Sequence, residues 1–99
     1  MDKEKELRPR SIEPFPAAKG FSCRKGMSGD LVMIIQIMLG EVRIFHDYIP
    51  HLPVSGKYCP ATAHAVSEFQ QGCGLPQTGD VDITTWNRLA EEYDMAMRT

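Results

Sequence analysis

The sequence predicts a small all-α protein, a three-helix bundle in which one loop-and-helix unit occurs twice. The first observation is a repeated phrase: residues 56–62 read Gly-Lys-Tyr-Cys-Pro-Ala-Thr, and residues 79–85 read Gly-Asp-Val-Asp-Ile-Thr-Thr. The second is that a run of apolar residues with a helical period follows each copy. The third is size, because 99 residues, 42% of them hydrophobic, can enclose one core.

The first helix is predicted to begin after a glycine-rich turn at residues 25–30, where Ser28 or Asp30 is expected to cap it. From about residue 31 into the mid-forties, apolar residues recur at spacings of four and three, which is typical of a helix facing a core. Gly40 lies inside this run and permits a bend or a close approach. The predicted core face comprises Leu31, Val32, Ile35, Met38, Leu39, Val42 and Phe45.

The second and third helices are predicted from the two copies of the phrase. Pro50 and Pro53 place a loop over residues 47–55, because proline cannot continue a helix. Pro60 suits the first position of the second helix, which is expected to end near Gly72 or Gly74. Asp82 is expected to cap the third helix, with Trp86 as its core anchor. The predicted core positions of these two helices are Thr62, Ala65, Val66, Phe69, Ile83, Trp86, Leu89, Ala90 and Tyr93.

The domain boundaries follow from the same patterns. Residues 1–20 combine a charged start with three prolines and no periodicity, so they are predicted to be a flexible tail or linker. Phe15 and Phe21 could dock on the edge of the domain. The folded domain is assigned to residues 21–95, and residues 96–99 to a C-terminal tail.

Composition argues against several classes of partner. A net charge of −2 disfavours nucleic acid and anionic membranes as partners. No apolar run approaches the roughly 18 residues of a membrane span, and the charged start lacks the apolar region of a secretory signal. The three cysteines are an odd number, so we expect reduced thiols, with one disulfide and a spare thiol as the alternative.

Motifs for catalysis or metal binding do not stand out. His46, His51 and His64 lack a two-ligand spacing on one helix face, and no metal or cofactor is expected. Cys73 and His64 could be imagined as a nucleophile and base, but no oxyanion-hole signature accompanies them. The acidic run Glu91, Glu92 and Asp94 is interpreted as a solvated helix face. The chain is therefore predicted not to be an enzyme.

A binding role is better supported, because polar residues recur beside the glycine turns. They could offer hydrogen bonds to an extended ligand, and Tyr48 or Tyr58 could offer a flat surface to a sugar ring. The alternative is structural: Gln70 and Gln71 would tie down loop carbonyls, Thr78 would form a turn, and Tyr58 would be core. The polar candidates are Lys25, Asp30, Lys57, Gln70, Gln71, Thr78 and Asp80.

Three blocks between residues 24 and 93 carry a family resemblance. The first is Gly29-Asp30-x-Val32-x-x-Ile35-Gln36-x-x-Leu39. The second is Gly56-x-Tyr58-x-x-x-Thr62-x-x-Ala65-Val66-x-x-Phe69-Gln70. The third is Gly74-Leu75-x-x-Thr78-Gly79-x-Val81-Asp82-x-x-Thr85-Trp86-x-x-Leu89. In order and spacing these blocks resemble the peptidoglycan-binding domain found at the ends of bacterial cell-wall hydrolases.

The resemblance implies a non-catalytic, monomeric module that anchors a cell-wall or spore protein on peptidoglycan, through its glycan or its stem peptides. The insertion at residues 48–54 resembles versions from spore-forming Firmicutes. A wall or spore location is implied if the parent protein is secreted, and a cytoplasmic or mother-cell location if it is not. Cys59 stands where the family usually has glycine or aspartate, which predicts a weaker cap on the second helix.

An alternative function on the same fold is a protein–protein interaction or scaffold module. The segment Gly74-Leu75-x-x-Thr78-Gly79 is also similar to the propeptide of matrix metalloproteinases, where the same bundle contacts protein. A saturable protein partner without retention on glycan would favour this alternative.

Overall fold

Residues 22–98 are described by a computed structural model and form three α-helices around one core. Helix α1 spans Asp30–Glu41, α2 spans Pro60–Cys73 and α3 spans Ile83–Met97. A 3-10 helix, Val42–Ile44, continues α1, and two short strands, β1 (Ser22–Cys23) and β2 (Val81–Asp82), pair with each other. The predicted all-α class is confirmed. The predicted tail at residues 1–20, which includes Phe15, lies outside the described residues. Phe21 lies outside them too.

Helix α1 begins and ends differently from the prediction. Its N-cap is Gly29, at a φ of 123° and without a side-chain cap, so the expected capping by Ser28 or Asp30 was wrong. At the other end the chain tightens into the 3-10 helix, which changes the angle between successive side chains. Val42 is therefore the last buried residue of the stripe, and Phe45, predicted to be core, is 46% exposed.

Helix α2 follows the prediction at both ends. Pro60 occupies the first turn, and Gly74 ends the helix in the left-handed conformation with a φ of 74°. The amide of Leu75 donates to the carbonyl of Gln70 at 2.9 Å, which closes the last turn. At the start, Cys59 has the extended backbone of an N-cap but provides no side-chain cap.

Replacing Cys59 with aspartate should stabilise the fold by about 1 kcal/mol. The backbone at Cys59 (φ −97°, ψ 175°) nearly matches that at Asp82 (φ −92°, ψ −175°), whose carboxylate accepts from the amide of Thr85 at 2.9 Å. An aspartate at 59 would accept from the amide of Thr62 in the same way. Urea unfolding measures the gain, with Cys59→Ala as the control without a cap. Equal midpoints for the two variants would contradict the prediction.

Helix α3 starts at its predicted cap, Asp82, and continues to Met97, so residues 96 and 97 are helical where a tail was expected. Trp86 is fully buried, whereas Ile83, predicted to be core, is 36% exposed. The largest buried apolar side chains come from all three helices and the loop after α1. They are Trp86, Phe69, Ile35, Met38, Leu39, Ile49 and Leu89.

The strand pair was not predicted, because two residues per strand carry no readable period. Ser22 pairs with Asp82 and Cys23 with Val81, antiparallel. A further bridge joins Ser28 to Lys57. The segment 22–28 therefore runs beside both copies of the repeated phrase and holds them together.

Candidate functional site

The loop of the second copy is organised around the side chain of Gln70, which is 1% exposed. Its Nε2 donates to the carbonyl of Asp80 at 2.9 Å and to the hydroxyl of Thr85 at 3.0 Å. Its Oε1 accepts from the amide of Gly79 at 2.9 Å. The hydroxyl of Thr78 accepts from the amide of Asp80 at 3.1 Å, which completes the turn. Gln70 thus has the structural role that the sequence left open as its alternative.

The loop of the first copy has the same construction around Gln36. The Nε2 of Gln36 donates to the carbonyl of Lys57 and to the hydroxyl of Thr62, each at 3.0 Å. Its Oε1 accepts from the amide of Gly56 at 2.8 Å. Ser55 occupies the position of Thr78, since its hydroxyl accepts from the amide of Lys57 at 3.2 Å. Each copy of the repeated phrase therefore forms the same hydrogen-bond network, which a glutamine of the preceding helix organises.

Tyr58 joins the two loops. Its ring is 2% exposed, and its hydroxyl donates to the carbonyl of Gly79 at 2.7 Å. Burial, and then the negative charge of Asp80, raise the pKa of Tyr58, so the hydroxyl remains a donor at neutral pH. Tyr58 is an interior side chain and presents no surface to a ligand.

The remaining polar candidates around these loops form what we call the loop face: Lys25, Asp30, Lys57, Thr78 and Asp80. Backbone hydrogen bonds bring the first three together: Tyr58 N donates to Met27 O at 2.9 Å, and Gly29 N donates to Gly56 O at 2.9 Å. Their side chains and that of Thr78 are exposed, and Asp80 is partly buried. The loop face thus consists of polar side chains on two loops whose backbone is held by hydrogen bonds from the buried glutamines Gln36 and Gln70.

Tyr48 and Gln71 belong to a second region, at the C-terminal end of α2. Gln71 is exposed there, and the ring of Tyr48 is 46% exposed. The Tyr48 hydroxyl occupies the space that a Cβ at Gly72 would fill, which explains a glycine inside this helix. That hydroxyl lies 2.8 Å from Nδ1 of His46.

Behind Tyr48 lies a group of side chains that we call the polar cluster: His46, Tyr48, Cys73, Arg88 and Glu92. Nε2 of His46 lies 2.6 Å from Oε1 of Glu92, and Nε of Arg88 donates to Oε2 at 2.8 Å. The thiol of Cys73 donates to the same Oε2 at 3.6 Å. Glu92 is 6% exposed, so its assignment to a solvated acidic face was wrong.

The charges of the polar cluster compensate one another. Burial alone would raise the pKa of the Glu92 carboxyl, but the hydrogen bonds with Arg88 and His46 outweigh it and hold the pKa below its usual value. Burial, and then the negative charge of Glu92, raise the pKa of the Cys73 thiol to about 11. The cluster therefore holds a carboxylate and a neutral thiol at pH 7.

This arrangement is not that of a cysteine hydrolase. In such enzymes a histidine activates the thiol and a carboxylate orients the histidine. Here Glu92 lies between Cys73 and His46, and a thiol with a pKa of about 11 is a weak nucleophile at neutral pH. His64, the base imagined for Cys73, instead lies at the surface of α2, 3.8 Å from Glu68.

Comparison with known proteins decides the family. The family described as "Putative peptidoglycan binding domain" matches residues 28–89, well over half of the chain. The chain belongs to this peptidoglycan-binding domain family. The matched region contains both glutamine networks and the whole loop face except Lys25.

A solved protein structure has the same fold. The crystal structure of SleB N-terminal domain superposes with a TM-score of 0.63 at 24% sequence identity, covering 76% of this chain and 96% of that one. No curated protein sequence matches the chain closely enough to compare. None of the helices within residues 22–98 has both the length and the apolar composition that crossing a bilayer requires.

Sequence reasoning missed two features of this peptidoglycan-binding domain. Gln36 was quoted as part of the family blocks but not as a functional position, although a glutamine between core positions of α1 signals a buried polar role. The polar cluster was missed because His46, Cys73 and Glu92 are far apart in sequence and come from three elements. Tyr48 is the one member of the cluster that the sequence predicted as a ligand-binding residue.

Proposed function

We propose that this domain binds peptidoglycan without catalysis and anchors a larger cell-wall or spore protein on it. The observation that carries the proposal is membership of the family over residues 28–89. The fold supports it with a polar loop face on a preformed backbone, so little ordering of the chain would accompany binding.

The chemistry of the loop face suits a glycan that carries peptides. Lys25 and Lys57 can donate to carboxylates of the stem peptides, and Asp30 and Asp80 can accept from sugar hydroxyls or from the amino group of a diamino acid. Thr78 is already engaged in its own turn, so it contributes shape more than hydrogen bonds. Contacts of this type are short-range and exposed, and a single domain would bind weakly, with repeated domains adding avidity.

Co-sedimentation with purified peptidoglycan, including spore cortex, tests binding. The full chain should sediment with the insoluble wall at modest salt. The unbound fraction, left in the supernatant, should be monomeric. Protein found wholly in the supernatant would overturn the proposal. Release of soluble wall fragments by the isolated chain would overturn the non-catalytic part alone.

Paired variants test the loop face. Lys57→Gln and Asp80→Asn should each weaken binding about tenfold, because a hydrogen bond to a charged group contributes about 1.5 kcal/mol or more. Arg98→Gln and Glu91→Gln make the same charge changes at exposed positions of the last helix and its C-cap, and should bind like the parent. Equal affinities for all four would place the ligand on another surface.

The protein–protein alternative is favoured by one observation. Met33, Ile37 and Ile44 are 39%, 41% and 58% exposed and follow one another at spacings of four and seven along α1 and its 3-10 extension. Such an apolar stripe suits a protein surface better than a glycan. Ile37→Glu should leave sedimentation with peptidoglycan unchanged and abolish a protein complex if the stripe is its interface.

A further inference from the structure

The polar cluster brings together three side chains of the types that bind transition metals. One ligand atom each from His46, Cys73 and Glu92 lies within 4.8 Å of the others. Nε2 of His46 is 2.6 Å from Oε1 of Glu92, and Sγ of Cys73 is 3.6 Å from Oε2. No two of the three come from the same element: the loop after α1, the end of α2 and the middle of α3 each supply one.

The cluster is buried and its members are held in place. His46 is 9% exposed and Glu92 is 6% exposed, and Cys73 is partly buried. The imidazole meets the rings of Phe69 and Tyr48 edge-on, at centroid distances of 5.4 and 5.6 Å. A buried carboxylate with three different neighbours is uncommon in a small helical core, where apolar packing would serve stability as well.

We propose that His46, Cys73 and Glu92 form a zinc-binding site whose fourth position is open to water. Imidazole nitrogen, thiolate sulfur and carboxylate oxygen together match the donors that zinc takes in proteins, whereas magnesium and calcium prefer oxygen alone. Bond lengths of about 2.0–2.3 Å place tetrahedral ligands about 3–4 Å apart. The three ligand atoms lie within 4.8 Å of one another, so the Cys73 sulfur has to approach by no more than about 1 Å. The His46–Glu92 pair, at 2.6 Å, has to open by less than about 1 Å.

The other members of the cluster have the positions of outer-shell groups. Arg88 holds Oε2 of Glu92, which leaves Oε1, facing His46, for the ion. The hydroxyl of Tyr48 lies 2.8 Å from Nδ1 of His46 and can accept a hydrogen bond from the Nδ1–H group. That hydrogen bond leaves Nε2 as the ligand atom. When zinc binds, the thiol of Cys73 releases its proton to solvent and the sulfur becomes the ligand.

Cobalt(II) titration of the reduced, metal-free full chain tests the site, since cobalt reports its ligands in its absorption spectrum. We expect one equivalent to bind with the visible bands of a four-coordinate ion and a near-ultraviolet band from thiolate to cobalt. Zinc should displace it, and magnesium should not. Failure to see a thiolate band at saturating cobalt would overturn the proposal.

Matched variants assign the ligands. Cys73→Ser should remove the thiolate band, whereas Cys59→Ser, which changes a thiol outside the cluster, should keep it. His46→Gln should weaken binding, whereas His64→Gln, at an exposed histidine, should not. A band that survives Cys73→Ser, or that depends on Cys59, would contradict the assignment. Circular dichroism without metal checks that each variant is folded.

Tyr48→Phe tests the outer shell separately. It removes only the hydroxyl next to His46 and should lower cobalt and zinc affinity by about 10- to 100-fold while keeping the thiolate band. Unchanged affinity would show that Tyr48 does not position the imidazole. The metal proposal is independent of peptidoglycan binding, because the loop face contributes none of the three ligands.

Discussion

Trp86→Ala should lower the free energy of unfolding by about 3–5 kcal/mol. Trp86 is fully buried in the core, and alanine would leave a cavity there that a close-packed bundle cannot fill. Small domains have a total stability of about 5–15 kcal/mol, so the variant should be largely unfolded in moderate urea. Circular dichroism must follow the transition, because the change removes the chain's one tryptophan.

Ile83→Ala is the matched control, three residues earlier on the same helix. Its side chain is 36% exposed, so truncation should cost about 1 kcal/mol or less. Similar midpoints for Trp86→Ala and Ile83→Ala would contradict the central position of the tryptophan. In that case Trp86 would become a candidate for stacking on a sugar.

Gln70→Leu should destabilise the domain by about 2–4 kcal/mol although leucine is similar in size and more apolar. The change removes the acceptor of the Gly79 amide and one of two donors to the carbonyl of Asp80, which keeps its hydrogen bond from the Thr78 hydroxyl. A buried polar group without a partner costs about 1–3 kcal/mol. Urea unfolding measures the loss. Amide hydrogen exchange should show the largest loss of protection at Gly79.

Gln71→Leu provides the control one residue away. Gln71 is exposed, and its replacement should change stability by no more than about 0.5 kcal/mol. Gln36→Leu should reproduce the cost of Gln70→Leu, because it organises the first loop in the same way. A neutral effect of either buried change would mean that the loops hold their shape without the glutamines.

The differences between sequence prediction and structure have physical causes. Phe45 was placed in the core by extending a 3.6-residue period past Val42, but the change to 3-10 geometry rotated it into solvent. Ser28 and Asp30 have side chains that can cap a helix, but Gly29, which lies between them, occupies the N-cap position. Glycine has no side chain, so the helix has no side-chain cap. In both cases the residue type was read correctly and the backbone path decided the outcome.

The binding candidates predicted from the sequence fall into two groups, exposed side chains and side chains that support the turns. Lys25 and Lys57 are exposed, as a ligand contact requires, and they remain part of the proposed loop face. Tyr58 and Gln70 were polar residues beside the same turns, but the structure uses their polar atoms to support those turns. A sequence cannot separate these cases, because both kinds of residue must lie near a glycine turn.

By itself, the sequence determined the local features of this domain: where two of the helices start, that α2 ends near Gly72 or Gly74, and that one loop-and-helix unit is duplicated. These features depend on neighbours within a few residues, which the sequence states directly. Only the tertiary structure decided that Tyr58 clamps the two loops together and that His46, Cys73 and Glu92 meet in one buried cluster. Those contacts join residues from separate elements, and their geometry exists only once the helices have packed.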